Sequence, residues 1–324
     1  MTGIFVSDLH GHLDRYEKLF ELVARERPDG VFLGGDLLPS GLIDSAGGRP
    51  DAFTPTPTGG ADFVDTVLAR GFSHLRENLG DAYPQVFLIL GNDDGRAVEP
   101  AVLRHAGACN SGAPGEHPAP LWHYVHGRGV SWGAYQLYGY AYSPPSPFAL
   151  KDWERYDVSR FVDPGCSSPE EGYYSIAVEE HVKRTATIKE DLERLAATEV
   201  TGRGGTSFGP GGGDAATSSL GNAIFLFHAP PYDTALDRAA LDDQWVDHVP
   251  LDVHVGSIAI RRFILARHPR LTLHGHVHES AGLTGRWRDT LGPTHALSAA
   301  HDGPELAVVR FDPDVPAAAQ RELV

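Results

Sequence analysis

The chain has 324 residues, 41% of them hydrophobic and 22% charged, a globular composition that excludes a disordered or fibrous protein. Its 27 Lys and Arg stand against 43 Asp and Glu, a net charge of -16, so an extended nucleic acid meets a repelling surface while a small anion can still be drawn to a local metal site. Two cysteines, Cys109 and Cys166, are too few for a disulfide framework or a thiolate metal cage, and no apolar run approaches the roughly eighteen residues of a membrane span, which predicts a cytoplasmic protein.

A buried strand is predicted at Gly3 to Ser7, then a helix over His12 to Arg27, where Leu13, Tyr16, Leu19, Phe20 and Val23 recur at helical spacing until Pro28. A strand at Val31 to Leu33 completes a βαβ unit. A Gly-, Pro- and Thr-rich stretch near 45–60 reads as a surface insertion. A second crossover helix follows over Ala61 to Asn78, with Phe63, Val64, Val67, Leu68 and Leu75 on its apolar face, and leads into a strand at Gln85 to Leu90.

The block near 122–197 is less regular and reads as a lid or rim. It holds a strand at Tyr135 to Tyr142, a Pro-rich turn at Ser143 to Pro147, a helix near Glu179 to Ala196, and Tyr and Trp residues expected to form local core. A second insertion near 201–221 precedes the strand Ala223 to Phe227. A helix over Ser257 to Arg267, with Ser257 as its cap, leads to the last predicted strand, Leu271 to Leu273. Strands alternating with helices predict a single α/β domain over 1–324, and no internal repeat is visible.

The chemistry stands at the ends of these strands: Asp8-Leu9-His10, Gly34-Gly35-Asp36, Gly91-Asn92-Asp93-Asp94, His228, and Gly275-His276-Val277-His278. In open α/β sheets the carboxyl ends of strands face a common crevice, so these distant groups are expected to converge. Residues two apart on a strand share one side of the pleat, which suits Asp8 with His10 and His276 with His278. Imidazole and carboxylate without thiolate suit Mn, Fe, Zn or Co, and Asp36, alone in its motif, is the natural bridge between two ions. Singly, each His reads as structural, and Asp8 or Asp36 as a cap. Jointly, five motifs after five strands read as a metal site.

The order D-x-H, G-D, G-N, H, G-H-x-H resembles the calcineurin-like metallophosphoesterases. That resemblance implies a four-layer α/β/β/α sandwich of two mixed sheets and two divalent metal ions, one held by Asp8, His10, Asp36 and His278, the other by Asp36, Asn92, His228 and His276. It implies in-line attack on a small phosphodiester or phosphomonoester by a metal-bridging hydroxide, with the ions about 3.5–4 Å apart. Asp36, Asn92, Asp93 and Asp94 are the candidate catalytic residues.

The family commonly carries His where this chain has Asp93, so protonation of the leaving oxygen falls to another donor, with His12, His254 or a metal-bound water as candidates. Asp94 reads as a supporting partner of the ligands. Leu37-Leu38-Pro39 after Asp36 lacks the arginine expected of a protein phosphatase, which favours a phosphodiesterase. The alternative is a non-catalytic protein-binding scaffold on the same fold. His117, His123 and His126 are read as surface residues, and His274 as pointing away from the ligands.

Overall fold

β2 (Gly30–Gly34) and β3 (Gln85–Ile89) are short, apolar and almost wholly buried, as parallel strands covered on both faces are. The computed structural model describes residues 1–39, 59–106, 120–197 and 220–324. The insertions near 45–60 and 201–221 lie, but for their last two residues each, outside the described residues, as do Cys109 and His117.

Among the described residues the first sheet runs β14-β13-β1-β2-β3-β4. Here β1 (Gly3–Val6), β2, β3 and β4 (His123–Tyr124) are parallel, while β13 (Ala307–Phe311) and β14 (Gln320–Leu323) join antiparallel. The second sheet runs β11-β12-β10-β7-β6-β5. Its parallel centre is β12 (Thr294–Ser298), β10 (Leu271–His274), β7 (Ala223–Phe227) and β6 (Tyr135–Tyr140), edged by antiparallel β11 (Arg288–Leu291) and β5 (Gly129–Trp132). Both sheets are therefore mixed. A short ribbon of β8 (Trp245–Val246) and β9 (Val249–Pro250) stands apart.

The sheets pack face to face through β2 on β7 and β3 on β6. Between them Phe32 lies 4.9 Å from Trp132, 5.2 Å from Phe87 and 5.3 Å from Phe311, centroid to centroid, part of one continuous core.

The helices form the outer layers. α1 (Leu13–Glu26) packs on a helical run made of α2 (Gly59–Phe63), a π turn at Val64–Ala69 and α3 (Arg70–Leu79). Tyr16, Leu19, Leu22 and Val23 form the buried stripe of α1, while Leu13 turns to solvent. α4 (Glu99–Arg104) follows the third strand end. Across the molecule α6 (Ile188–Ala197) packs on α7 (Ile258–Arg267). The Ser257 hydroxyl accepts the Ile260 N–H as the N-cap, and the Asp157 carboxylate takes the N–H groups of Ile258 and Ala259 from outside the helix. α8 (Ser280–Thr284) is a single short turn.

Three expectations need correction. The helix expected near Glu179 to Ala196 is two, α5 (Glu180–Thr185) and α6, because Ala186 and Thr187 adopt an extended break in which Thr187 bridges to Tyr156. The block near 122–197 is more than a lid: β4, β5 and β6 lie within it and belong to the two sheets. His126 is half-buried rather than a surface residue. Its Nδ1 accepts the Ala141 N–H at 3.0 Å, and its ring lies 4.9 Å from that of Trp153, with burial holding its pKa down at about 3.

Candidate metal centre

Each predicted motif leaves its strand at a loop, and the loops are laced to one another. Asp8 N–H donates to the Gly35 carbonyl, His10 N–H to Asp36, Gly11 N–H to Leu37, and Gly275 N–H to His228. Asp8, His10, Asp36 and His276 all have positive φ, at 57°, 47°, 51° and 77°, in the left-handed region that costs a non-glycine residue energy. The expectation that Asp8 and His10 share one side of a pleat is thereby corrected: β1 ends at Val6, and these side chains converge because the backbone curls back at both. Gly91 and Gly275 keep the centre open, since a Cβ at Gly91 would collide with Asp36 Oδ1 and one at Gly275 would lie 2.7 Å from Asp8 Oδ2.

Two groups result. Ligand-type atoms of Asp8, His10, Asp36 and His278 lie within 4.8 Å of one another, as do those of Asp36, His228 and His276, so Asp36 belongs to both. His278 falls in the first group and His276 in the second. Asn92 extends the second group, its Oδ1 being 2.8 Å from His228 Nε2. Asp8 and Asp36 are 1% and 3% exposed, and His228 is fully buried.

Hydrogen bonding settles which ring nitrogen faces inward. The Gly34 carbonyl, 2.9 Å from His228 Nδ1, can only accept, so Nδ1 carries the proton and Nε2 turns to Asn92 Oδ1 and to Asp36 Oδ2 at 3.4 Å. His10 Nδ1 lies 3.1 Å from Asp93 Oδ2, while its Nε2 lies 3.2 Å from His278 Nε2. An acceptor facing an acceptor in both groups calls for a proton or a cation between them. An all-N/O donor set around two buried carboxylates fits divalent transition metals.

The charges respond accordingly. Burial would lower the pKa of His10, but Asp93, Asp36 and Asp8 outweigh it and raise it to about 9. Against the same burial, Asp36 and Asp8 raise His228 to about 9. Burial would raise the Asp8 carboxyl, and the imidazoles of His278 and His228 instead bring it to about 2. Asp36 is held below the usual carboxylate range against its burial, first by the charge of His228. His276 is pushed down to about 3 by burial and by neighbouring His228.

Asp94 stands behind the groups. Its buried carboxylate accepts the N–H groups of Leu37, Leu38 and Gly91, tying the second loop to the third, and burial with Asp36 nearby pushes its pKa up to about 7. The Asp93 N–H donates to Asp36 Oδ1 at 2.8 Å. His274 points away, bonded to Ala229 and Thr272. Neither His12, exposed at the start of α1, nor His254, whose Nδ1 lies 2.8 Å from Asp237, belongs to either group.

Sequence reasoning missed two supports. The Ser7 hydroxyl donates to Asp8 Oδ2 at 2.5 Å, and the guanidinium of Arg15, only 8% exposed, donates to the carbonyls of Asp8 and Gly303. An arginine in the first turns of an amphipathic helix carries no signal that it points inward.

The family model for calcineurin-like phosphoesterases matches residues 1–280. No curated protein matches the chain. One solved structure, 14% identical, superposes with a TM-score of 0.53 over 99% of this chain and 98% of its own, which shows a shared fold. Similarity extends more distantly to an archaeal phosphodiesterase, at 10% identity and a TM-score of 0.36 over 100% of both chains. A dimetal phosphatase from Danio rerio is also 10% identical, with a TM-score of 0.41 over 96% of this chain and 91% of its own.

Proposed function

The chain belongs to the calcineurin-like phosphoesterases, and on that premise we propose that it hydrolyses a small phosphate ester, a phosphodiester before a phosphoprotein, with two divalent ions. The observation that supports this most is the sharing of buried Asp36 between two compact donor groups. Asp8, His10, Asp36 and His278 would hold one ion, and Asp36, Asn92, His228 and His276 the other. When bound, such ions supply Lewis acidity, acidifying water and neutralising charge on the phosphoryl oxygens.

The chain's own residues do the rest. Asp36 turns Oδ2 to both groups, 3.9 Å from His10 Nε2 and 3.4 Å from His228 Nε2, and its Oδ1 is fixed by the Asp93 N–H. Gly34 and Asp93 set the inward nitrogens of His228 and His10. Asp94 keeps the second and third loops in register. Leu37 and Leu38, both buried after Asp36, leave no cation there to grip a phosphoprotein, which supports a small substrate.

The test is hydrolysis of bis-p-nitrophenyl phosphate and p-nitrophenyl phosphate by metal-stripped protein, with Mn, Zn, Mg and Co restored singly. Diester turnover restored by metal is the expected result. Full loading with metal and no turnover of either ester would instead support a protein-binding scaffold.

A further inference from the structure

We infer that Asp93 is a positioning residue for His10, orienting its imidazole toward the first donor group, and does not give a proton to the leaving oxygen. The inference rests on the metal-site reading above and assigns a role within it.

Asp93 Oδ2 lies 3.1 Å from His10 Nδ1, on the side of the ring away from the donor group. The opposite nitrogen, Nε2, lies 3.2 Å from His278 Nε2 and 3.9 Å from Asp36 Oδ2. A neutral imidazole carries one proton. For Nε2 to present a lone pair to a cation, the proton must sit on Nδ1, and Nδ1–H needs an acceptor, which Asp93 supplies. A carboxylate accepting from the far nitrogen of a metal-binding His fixes both tautomer and ring orientation and raises the basicity of the ligating nitrogen.

The backbone agrees. The Asp93 N–H donates to Asp36 Oδ1, which fixes the backbone from which the carboxylate reaches His10. His228 has the same orientation from a main-chain carbonyl, that of Gly34. The two inward imidazoles are thus oriented by different means, one neutral and one charged, and only the charged one depends on a replaceable side chain.

The experiment is a Co²⁺ titration of the full metal-stripped chain, followed by calorimetry and by the visible bands of bound Co²⁺, for the wild type, Asp93→Ala and Asp93→Asn. Asp93→Ala is expected to weaken one of two Co²⁺ ions by about ten- to a hundredfold and leave the other unchanged. Asp93→Asn, whose amide oxygen still accepts Nδ1–H, should fall between and covers the case of a misfolded Ala variant. Turnover of aryl phosphodiesters of rising leaving-group basicity should drop by one common factor in Asp93→Ala and recover at high Co²⁺. Wild-type Co²⁺ affinity in both variants, with a turnover loss that grows with leaving-group basicity, would overturn the inference and make Asp93 the acid. A wild-type chain that binds no Co²⁺ would overturn the metal-site reading itself.

Discussion

The Arg15 guanidinium donates to the backbone carbonyl of Asp8 at 2.7 Å, reaching from the first turns of α1 to the loop that carries a candidate ligand. The same side chain holds the Gly303 carbonyl, so it clamps the loop after β1 to the loop after β12. Arg15→Met leaves both carbonyls without this donor and is expected to destabilise the fold by about 3 kcal/mol, with weaker metal binding because the Asp8 loop loosens. A denaturant melt reads the first effect and a Co²⁺ titration the second; an unchanged midpoint would show that the clamp is dispensable.

Asp36 contributes an oxygen to both donor groups. Asp36→Asn replaces the carboxylate shared by both groups with a neutral amide, so on the proposed function kcat/KM for bis-p-nitrophenyl phosphate should fall about a thousandfold, roughly 4 kcal/mol of lost transition-state stabilisation. Retained metal-dependent turnover would sink the proposed function.

Protons and metal ions compete for the inward nitrogens. The folded pKa values of His10 and His228 are raised from 6.5 to about 9 in the metal-free protein. Raised pKa values stabilise the fold fully below about pH 6.5 and lose that contribution as pH climbs through about 9. The chelated protein should therefore lose Tm across this window, while its affinity for Zn²⁺ or Mn²⁺ rises as fewer protons must leave. Calorimetry in buffers of different ionisation enthalpy should record proton release on binding at pH near 7; none would mean that these nitrogens are not ligands.

Asp94 serves three backbone N–H groups from a fully buried position. Asp94→Ala orphans them and should cost about 3 kcal/mol, while Asp94→Asn keeps one acceptor oxygen and should cost about half as much. Equal midpoints for the two variants would mean that Asp94 contributes only its charge.

Local order was legible where side chains are repetitive and apolar. The stripe of α1, the strand Ala223–Phe227 and the Ser257 cap follow from periodicity and capping chemistry. The strands after residue 284 were not legible. β11 reads Arg-Asp-Thr-Leu and β14 Gln-Arg-Glu-Leu, polar edge strands whose existence depends on a neighbour, and β13 finds its place only by pairing antiparallel with β1 from the far end of the chain.

The sequence by itself determined which residue types end the strands, and hence that carboxylates, imidazoles and one amide gather on one side of an α/β sheet. The motif resemblance implied a division into two sets, but the residues by themselves carried no physical reason for it, because partition is a matter of direction and reach. His276 and His278 are two residues apart yet join different groups, since the backbone turns left-handed at His276. Asp93 meets His10 from 83 positions away, and Arg15 meets Gly303 from 288. Those meetings exist only because two sheets pack face to face and bring the loops at their carboxyl ends within hydrogen-bonding distance.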